Sequence, residues 1–520
     1  MTKDEKEEEQ EEDQPAWIDE WDFEYYDTVT EEWPIQEHEI IKQEELPKLV
    51  KDWLDTFLQV SRHNEFPAIL SYFTMLGQVV KDLVQIPYGY VSEDTRIHTC
   101  WIQNARSGKS VLNDFLSEIA NETWKLIEEY NGPDHNVFTT FDVIEFTDAA
   151  LVANYKEIPN TDFGDIEGEA ETKWVEVEGA IEGSGLLLFD EFESSGIFKN
   201  MPNKASMITY FQRLMNTLTT DGYLIKKVLT GKPTATTRCQ RSVWATTYPP
   251  EQLTKTIAEK GVLQRMFLYV RVVPEEIRNK MKGSIISGLG TIKKRNMPVN
   301  KYANSFLTIF QETKERFDSL SSDFEDRMVL IPEEDRYNCP QEEMMIWSEG
   351  AKELMQVEYD NMIEFMSLHA EGIKDVVSLF ETNFLIYMAK IAVLCAITET
   401  PSRRDEEKWV ILERNMRQST SVVRQGYMSL VAWMLTAHRV KRQSVAEDAG
   451  LANFITSYHT IDPSKVKDGW VSKTDFKLYM IGQGGISHSS FHDRYKKVAH
   501  KFELKKEGRV VLIRLKEDQE

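Results

Sequence analysis

The sequence predicts an α/β fold: a core with a parallel sheet, flanked by helical segments and followed by a small basic domain. Apolar, strand-like runs alternate with helical stretches between Ile97 and Val273, an order typical of parallel sheets with right-handed crossovers. From Pro274 to about Ala437 the apolar spacing is largely helical. The last domain is predicted because residues 439–516 hold sixteen Lys or Arg against eight Asp or Glu, in a chain of net charge −25.

The composition fits a multi-domain cytoplasmic protein. The 520 residues have room for about three or four domains, and a hydrophobic content of 41% can supply their cores. Four cysteines lie far apart with no C-x-x-C pair, which indicates neither a structural zinc nor a disulfide framework. The N-terminus has no apolar signal segment and no apolar run reaches ~20 residues, so we expect neither export by that route nor a membrane partner.

Residues 1–40 form an acidic tail that also contains aromatic residues. Between Asp4 and Glu32 there are fifteen acidic residues and one lysine, a composition that predicts disorder. The tail is either a solubilising segment or a peptide that docks a replication partner or mimics nucleic acid. Helical spacing then predicts an N-terminal helical segment at residues 41–95.

The stretch "CWIQNARSGKSVLNDFL" (Cys100–Leu116) holds a candidate phosphate-binding loop. Gly108, Lys109 and Ser110 match the pattern G-x-x-x-x-G-K-[ST], and Gln103 replaces its first glycine. A β-prone run precedes the loop and helical spacing follows, so backbone N–H groups and a helix N-terminus would face an anion. Lys109 would reach the terminal phosphates, and the Ser110 hydroxyl would ligate Mg²⁺. The phosphate-contacting loop residues are Gln103, Asn104, Ala105, Arg106, Ser107 and Gly108.

A second motif, "GLLLFDEFES" (Gly185–Ser194), is an apolar strand that ends in an acidic pair. Buried parallel strands are continuous apolar runs, and residues at their C-terminal ends project to the edge where ligands bind. We expect Asp190 to hold the Mg²⁺ hydration shell and Glu191 to polarise an attacking water. Either motif alone fits a chance match. Together, in this order and each after a strand, they favour a functional loop.

Further strands are predicted at Thr140–Phe146, Arg241–Pro250 and Gly261–Val273. With them, the order of motifs resembles the additional-strand P-loop ATPases, the class of the AAA+ and RecA-like motors. Within that class it is similar to the helicase-like ATPases of phages and other mobile elements. The resemblance covers Ile97–Val273, about a third of the chain, and implies an ATPase core at 96–274 that binds ATP and Mg²⁺.

The resemblance also implies roles for residues near the last two strands. Thr247, or its neighbour Thr246, takes the sensor position that detects the γ-phosphate. Arg265 is an arginine finger that completes a neighbouring subunit's site, which implies a homo-oligomeric ring, a hexamer. The family's usual sensor asparagine is absent, which leaves Tyr248 as another candidate, and Arg265 has the alternative interpretation of a surface arginine before a strand.

Between the acidic pair and the sensor strand, Asp221–Arg241 predicts a basic hairpin. In related hexameric helicases a hairpin at this place lines the channel and grips the DNA backbone. The resemblance therefore implies phosphate contacts by Lys226, Lys227 and Lys232, which carry no sequence information. The alternative is a solvated basic loop.

Residues 275–437 are predicted to form a helical lid or connector domain. Its densest apolar run, Phe384–Ile397, predicts a buried core helix that Lys390 interrupts. A buried lysine needs an anion or a hydrated exit. We therefore expect Lys390 to snorkel to solvent or to point at a bound nucleotide.

Residues 438–520 look like a winged helix. Phe491, Tyr495 and Val498 make an apolar stripe at helical spacing, and a hairpin follows in "FELKKEGRVVLIRLK". The basic side chains of that helix, which would lie in or along a DNA groove, are Arg494, Lys496 and Lys497. The alternative is a winged helix used only for protein contacts.

The expected function is an ATP-driven, ring-forming DNA motor: a replicative helicase of a virus or mobile element that acts on single-stranded or forked DNA. Two alternatives remain. One is a DNA-packaging or remodelling ATPase with the same core. The other is a nucleotide-switched initiation protein that assembles on DNA and translocates little. The expected location is the cytoplasm, or the host cytoplasm for a viral protein.

Overall fold

A computed structural model describes much of the chain between residues 46 and 516. The described residues are 46–61, 64–89, 91–103, 108–132, 138–143, 151–152, 154–159, 172–177, 179–192, 205–216, 223–227, 235–248, 261–271, 298–369, 380–399, 408–443, 457–458, 461–467, 469–484, 491, 495, 499, 502–507 and 510–516. The acidic tail lies outside them. The chain divides into two compact units, Met1–Leu435 and Thr436–Glu520. The predicted separation of the first unit into an N-terminal helical segment, an ATPase core and a helical domain stays a prediction.

The described elements are eleven helices and sixteen strands. The helices are α1 Lys48–Val60, α2 Glu65–Val80, α3 Lys109–Asn131, α4 Ala205–Leu214, α5 Val299–Ser321, α6 Phe324–Val329, α7 Pro340–Glu343, α8 Glu349–His369, α9 Glu381–Thr398, α10 Glu413–Gln443 and α11 Lys473–Gly484. The strands are β1 Gln85–Tyr88, β2 Val91–Asp94, β3 Thr99–Gln103, β4 Phe138–Val143, β5 Asn154–Pro159, β6 Thr172–Val177, β7 Gly183–Phe189, β8 Tyr223–Lys227, β9 Ala235–Thr247, β10 Phe267–Arg271, β11 Met345–Trp347, β12 Trp409–Ile411, β13 Val466–Lys467, β14 Trp470–Ser472, β15 Phe502–Glu507 and β16 Val510–Leu515.

The first unit is a mixed α/β structure around five parallel strands in the order β10-β3-β9-β7-β4. Strand β8 adds to β9 in the antiparallel sense. Strands β3 and β10 are buried throughout, as continuous apolar runs predict for a sheet covered on both faces. Helix α2 packs on β3, β7 and β9, and helix α3 packs on β4 and β7. The predicted parallel sheet with flanking helices is confirmed.

Strand β7 depends on a glycine where β4 comes closest. Gly185 has φ of +116°, and a Cβ there would collide with the Thr139 carbonyl of β4. Only glycine combines that backbone conformation with so close an approach. The close pairing of β7 with β4 positions the acidic pair that follows β7.

Helix α9 confirms the predicted buried core helix. Among the described residues it alone is long and apolar enough to cross a membrane, but 72% of it is buried inside the protein, which is typical of a core helix in a soluble protein. Lys390 within it is only 6% exposed. Its ammonium donates to the Arg96 carbonyl at 3.1 Å and pairs with Glu93 at 3.4 Å. The expectation that Lys390 snorkels was therefore wrong, because partners inside the fold satisfy its charge.

The second unit has its own core. Strands in the order β13-β14-β16-β15 form an antiparallel sheet with α11 packed on β14 and β16. The predicted hairpin is present as β15 and β16, paired from Phe502↔Leu515 to Glu507↔Val510. Phe491 and Tyr495 are buried and stack with centroids 5.6 Å apart, so two positions of the predicted apolar stripe do face the core. Val498 and the basic residues Arg494, Lys496 and Lys497 lie outside the described part of the chain.

Candidate functional site

Three parallel strands end at one edge of the central sheet and bring the two predicted motifs together. Strand β3 ends at Gln103, strand β7 ends just before Asp190, and strand β9 ends at Thr247. Helix α3 begins at Lys109, a few residues after β3. Because the carboxyl ends of parallel strands share an edge, side chains distant in sequence converge there.

Gly108 sets the start of helix α3. It has φ of +87°, and a Cβ there would lie 2.9 Å from the Ser61 hydroxyl, so glycine is required for both conformation and space. No side chain caps the helix at this residue. A helix N-terminus whose N-cap residue supplies no side-chain acceptor favours the binding of an anion. Asn104, Ala105, Arg106 and Ser107 lie outside the described residues.

Lys109 lies at the centre of the edge and is 6% exposed. Its ammonium donates to the carbonyl of Gln103 and, at 3.0 Å, to that of Thr247. The Tyr248 ring covers it, with its centroid 4.1 Å from Nζ. Burial lowers the pKa of Lys109 to about 8, against the opposing effect of Asp190 and Glu191. An added anion would favour the charged form and reverse this shift.

Asp190 is held by three polar side chains. It accepts hydrogen bonds from Ser110 at 3.0 Å and from Asn113 at 2.9 Å. The Thr246 hydroxyl donates to the Asp190 backbone carbonyl at 2.7 Å. Asn113 is fixed in turn by Trp244, whose ring N–H donates to its Oδ1 at 2.8 Å. The carboxylate is thus positioned by residues of both α3 and β9.

The hydroxyl of Ser110 and the carboxylate of Asp190 fit the donor set that Mg²⁺ requires. Both are hard oxygen ligands, and they are adjacent. Among the described residues there is no cluster of three or more His, Cys, Asp or Glu that could enclose a metal. A Mg²⁺ ion in phosphate chemistry is commonly held by one or two protein oxygens, and water and substrate phosphate complete its coordination.

Glu191 and Thr247 flank the lysine. Glu191 is exposed, and its Oε1 accepts a hydrogen bond from the Tyr248 hydroxyl at 3.1 Å. Burial and this carboxylate raise the pKa of Tyr248. The Thr247 hydroxyl is buried and has no hydrogen-bond partner in the described part of the chain. A buried hydroxyl without a partner is rare, and a phosphate oxygen at this edge would satisfy it.

Gln103 contributes to the site through its backbone. Its side chain is fully buried: Oε1 accepts from the Trp101 ring N–H at 2.7 Å, and Nε2 donates to Asn64 at 2.9 Å. Asn64 donates to Ser61, which donates to the Gly108 carbonyl at 3.1 Å. The amide of Gln103 therefore links the loop to the segment between α1 and α2. This network gives a reason for glutamine at the first position of the loop.

Replacing Gln103 by the glycine of the usual pattern is expected to lower the stability of the fold. Gln103→Gly leaves the buried Trp101 N–H and the Asn64 amide oxygen without partners, so we expect a loss of about 2–4 kcal/mol in the free energy of unfolding. Urea denaturation followed by tryptophan fluorescence measures this loss. The matched variant Asn64→Ala breaks the same network, so the double variant should lose much less than the sum. Strict additivity, or a more stable Gln103→Gly protein, contradicts the network.

Arg265 lies at the opposite edge of the sheet. It ends a 3-10 turn, Leu263–Arg265, just before β10, whose first residue, Phe267, pairs with Thr99 at the start of β3. Its guanidinium donates to Asn216 Oδ1 at 3.1 Å and to the Gly261 carbonyl at 2.7 Å. The structure does not bring Arg265 together with Lys109 of the same chain.

The strands of the predicted basic hairpin are present. Strand β8 pairs with the start of β9, with Lys226 opposite Thr236 and Lys227 opposite Ala235. That part of β9 precedes Cys239, the residue that pairs with the first residue of β7, so the hairpin extends beyond the edge opposite Lys109. Lys232 and the side chains of Lys226 and Lys227 lie outside the described structure.

Arg241, which the sequence placed among the basic residues of that hairpin, belongs to the core. Its guanidinium donates to the carbonyls of Glu182, Thr139 and Ser184 at 2.7–2.9 Å. It is 3% exposed. Its hydrogen bonds tie together three strands of the sheet, so Arg241 is a structural residue of the core.

Two residues of the site had no role in the sequence interpretation. Asn113, one helical turn after Lys109, binds Asp190 and Trp244, and a polar residue on the apolar face of α3 was its only signal. Asn64 is too far from the loop in sequence to give any signal.

Comparison with models of known protein families finds none that matches this chain, and no curated protein matches it. The functional proposal therefore rests on the geometry of the sheet edge.

Proposed function

We propose that the chain is an ATP-hydrolysing, ring-forming motor that acts on DNA, a replicative helicase of a virus or mobile element. One observation carries the proposal: Lys109, the Ser110–Asp190 pair and Glu191 meet at one sheet edge, beside an uncapped helix N-terminus. Phosphate chemistry needs this combination of cation, metal-ligand oxygens and carboxylate base. The buried Thr247 hydroxyl, which has no hydrogen-bond partner among the described residues, could donate to a phosphate oxygen at the same edge, and this supports the proposal.

The strand order supports the additional-strand class. Strand β3 precedes the loop and β7 carries the acidic pair, yet the two are not neighbours, because β9 lies between them. The class takes its name from an extra strand at that place. Strand β9 ends at Thr247, so the intervening strand also delivers the proposed sensor.

Each residue then has a separate role in hydrolysis. Mg²⁺-bound ATP supplies the phosphoryl group that passes to water. The open N–H groups of α3 and the Lys109 ammonium bind phosphate oxygens and stabilise the charge that develops on them. Ser110 and Asp190 would hold a Mg²⁺ ion, which would neutralise phosphate charge, and Asn113 and Thr246 orient Asp190. Glu191 accepts a proton from the attacking water, and Thr247 donates its free hydroxyl to a phosphate oxygen.

Two basic elements support DNA as the partner. The β8–β9 hairpin carries lysines at the edge opposite the site. In the second unit Lys505 and Lys506 are exposed on β15, and Lys473 lies over the Tyr495 ring at 4.1 Å. The exposed lysines of β15 and the half-buried Lys473, the first residue of α11, are suited to contacts with a phosphate backbone.

The decisive experiment pairs two measurements on the full chain. ATP hydrolysis is measured with and without single-stranded DNA, and strand displacement is measured on a fork. DNA-stimulated hydrolysis with unwinding supports a helicase, whereas stimulation without unwinding favours a packaging or remodelling ATPase. ATP-dependent assembly on DNA without turnover favours the initiation switch. No ATP binding at all contradicts the proposal.

Removal of the hairpin charges is expected to uncouple hydrolysis from DNA. Replacing Lys226, Lys227 and Lys232 by alanine removes three contacts to a single strand, so the slope of log affinity against log salt should fall by about 2. The basal ATPase rate should stay intact, because the hairpin lies away from Lys109. Salt-dependent binding to labelled single-stranded DNA gives the slope.

A charge-matched control replaces three exposed lysines elsewhere, Lys125, Lys301 and Lys352, by alanine. It should leave the slope unchanged. Replacement of Arg494, Lys496 and Lys497 should instead weaken duplex or fork binding. If both sets of changes leave DNA affinity and stimulation unaltered, the DNA-motor proposal is contradicted and the initiation switch becomes the favoured alternative.

A further inference from the structure

A second polar cavity lies at the amino edge of the sheet, away from the loop. It has a volume of about 330 Å³, and the side chains that matter for its chemistry are Glu93, Asn216, Arg265, Asn383, Tyr387 and Lys390. These residues come from β2, the end of α4, the turn before β10 and helix α9. Four separate elements therefore build its wall.

The cavity carries net positive charge. Lys390 is 6% exposed, Arg265 is half-buried, and Glu93 is the one carboxylate among the described residues that line it. His98 also lines it, and burial holds the pKa of this imidazole well below its usual range, so the ring is neutral at pH 7. Two cations against one anion leave an excess of one positive charge. Such a site favours an anionic ligand.

Two donors on the wall have unused capacity. The Asn383 side-chain N–H₂ is buried and has no hydrogen-bond partner within the described structure. Arg265 uses Nε and Nη1 on Asn216 and Gly261, which leaves Nη2 without a described partner. Tyr387 fixes the turn by donating to the Arg265 carbonyl at 2.8 Å. A buried amide nitrogen without a described partner and a guanidinium with a spare N–H₂ group are suited to bind an acceptor that enters the cavity.

We propose that this cavity binds a phosphate group, with Arg265, Lys390 and Asn383 as its donors. Guanidinium groups bind phosphate in a forked, bidentate manner, and an ammonium adds a point charge. The phosphate has two possible sources. It is carried by a small free phosphorylated compound, or it is the terminal phosphate of a nucleotide held by the loop of a second copy. The second source rests on the proposed function, and the first does not.

Binding is tested in the full chain carrying Lys109→Ala, which removes phosphate binding at the loop. Inorganic pyrophosphate is the probe, and calorimetric titration measures its affinity. Adding Asn383→Leu should weaken binding about three- to tenfold, the effect of one lost hydrogen bond, because it removes the side-chain N–H₂ group that has no partner within the described structure. Adding Lys390→Met with Glu93→Gln, which removes both members of the ion pair, should weaken it about a hundredfold.

The exposed ion pair Lys352–Glu349 offers a matched control, and Lys352→Met with Glu349→Gln should leave pyrophosphate affinity unchanged. Asn383-dependent binding by the dilute, monomeric chain identifies a free phosphorylated compound. In the other outcome, the protein has Lys109 intact, and Asn383→Leu lowers nucleotide affinity in the assembled protein but not in the monomer. That result identifies the nucleotide of a neighbouring subunit as the source of the phosphate. The proposal is overturned if neither Asn383→Leu nor the Lys390→Met, Glu93→Gln pair changes affinity. This requires unchanged affinity for pyrophosphate and, in the assembled protein, for nucleotide. Neither assay measures hydrolysis, so failure of the ATPase proposal is seen separately.

Discussion

Replacement of Lys109 by alanine is expected to abolish ATP hydrolysis, with a fall in rate of at least about a thousandfold. The ammonium is held between the Gln103 and Thr247 carbonyls at the sheet edge, where it meets the phosphate charge in a largely water-excluded place. Nucleotide affinity should fall with the rate, because the same cation binds the ground state. Phosphate release and binding of a fluorescent nucleotide measure the two effects.

Glu191→Gln should separate these effects. The exposed carboxylate accepts a hydrogen bond from the Tyr248 hydroxyl, whereas Ser110 and Asn113 hold the Asp190 carboxylate. Its loss should therefore preserve nucleotide binding while turnover falls about a hundredfold or more, the size of a general-base contribution. The matched controls change an exposed ion pair on α3, the helix that begins at Lys109. Lys125→Ala and Glu129→Gln should both keep the parent rate. A Glu191→Gln protein that hydrolyses ATP at the parent rate would show that another group acts as the base.

The elements of the site were predictable because their signals are local. A continuous apolar run, a Gly-Lys-Ser and an acidic pair each lie within a few residues of the strand or helix that positions them. Once the strands are parallel, their ends must share an edge, so the convergence of Lys109 with Asp190 follows from the topology. The observed strands begin and end a few residues away from their predicted bounds.

Contacts between distant segments could not be predicted. Lys390 pairs with Glu93 and binds the Arg96 carbonyl, and Gln103 binds Asn64. A sequence shows that such a buried polar residue needs a partner, but only the packed fold selects which one. Arg241 shows the same limit, because the sequence shows its charge but not the carbonyls of Glu182 and Ser184 to which it donates.

Short strands with mixed composition also escaped prediction. The hairpins β1–β2 and β5–β6 contain proline, serine and several acids without regular alternation. Their pairing is settled by neighbouring backbone and turn geometry rather than by apolar periodicity, so no local signal marked them.

Arg265→Ala should bind ATP yet hydrolyse it at least about a thousandfold more slowly, the effect of losing an arginine finger. Within one chain the guanidinium and Lys109 lie at opposite edges, separated by the five residues of β10, or about 16 Å. Direct contact between Arg265 and the hydrolysed phosphate therefore requires a second subunit. The rate is measured on the assembled protein, and Arg213→Ala, an exposed arginine on α4, is the matched control that should hydrolyse normally.

Mixing distinguishes a trans-acting arginine from a structural one. In a ring made from equal amounts of Arg265→Ala and Lys109→Ala chains, about one interface in four joins an intact Lys109 to an intact Arg265 from the neighbour. Hydrolysis should thus recover toward roughly a quarter of the parent rate if interfaces act independently. Asn216→Ala removes the described side-chain partner of the guanidinium but keeps both Lys109 and Arg265, so it should hydrolyse ATP on its own, and an equal mixture with Lys109→Ala should retain roughly half of that rate. Rings shown to contain both variants, yet inactive at every mixing ratio, would mean that Arg265 acts within its own subunit by holding the turn before β10.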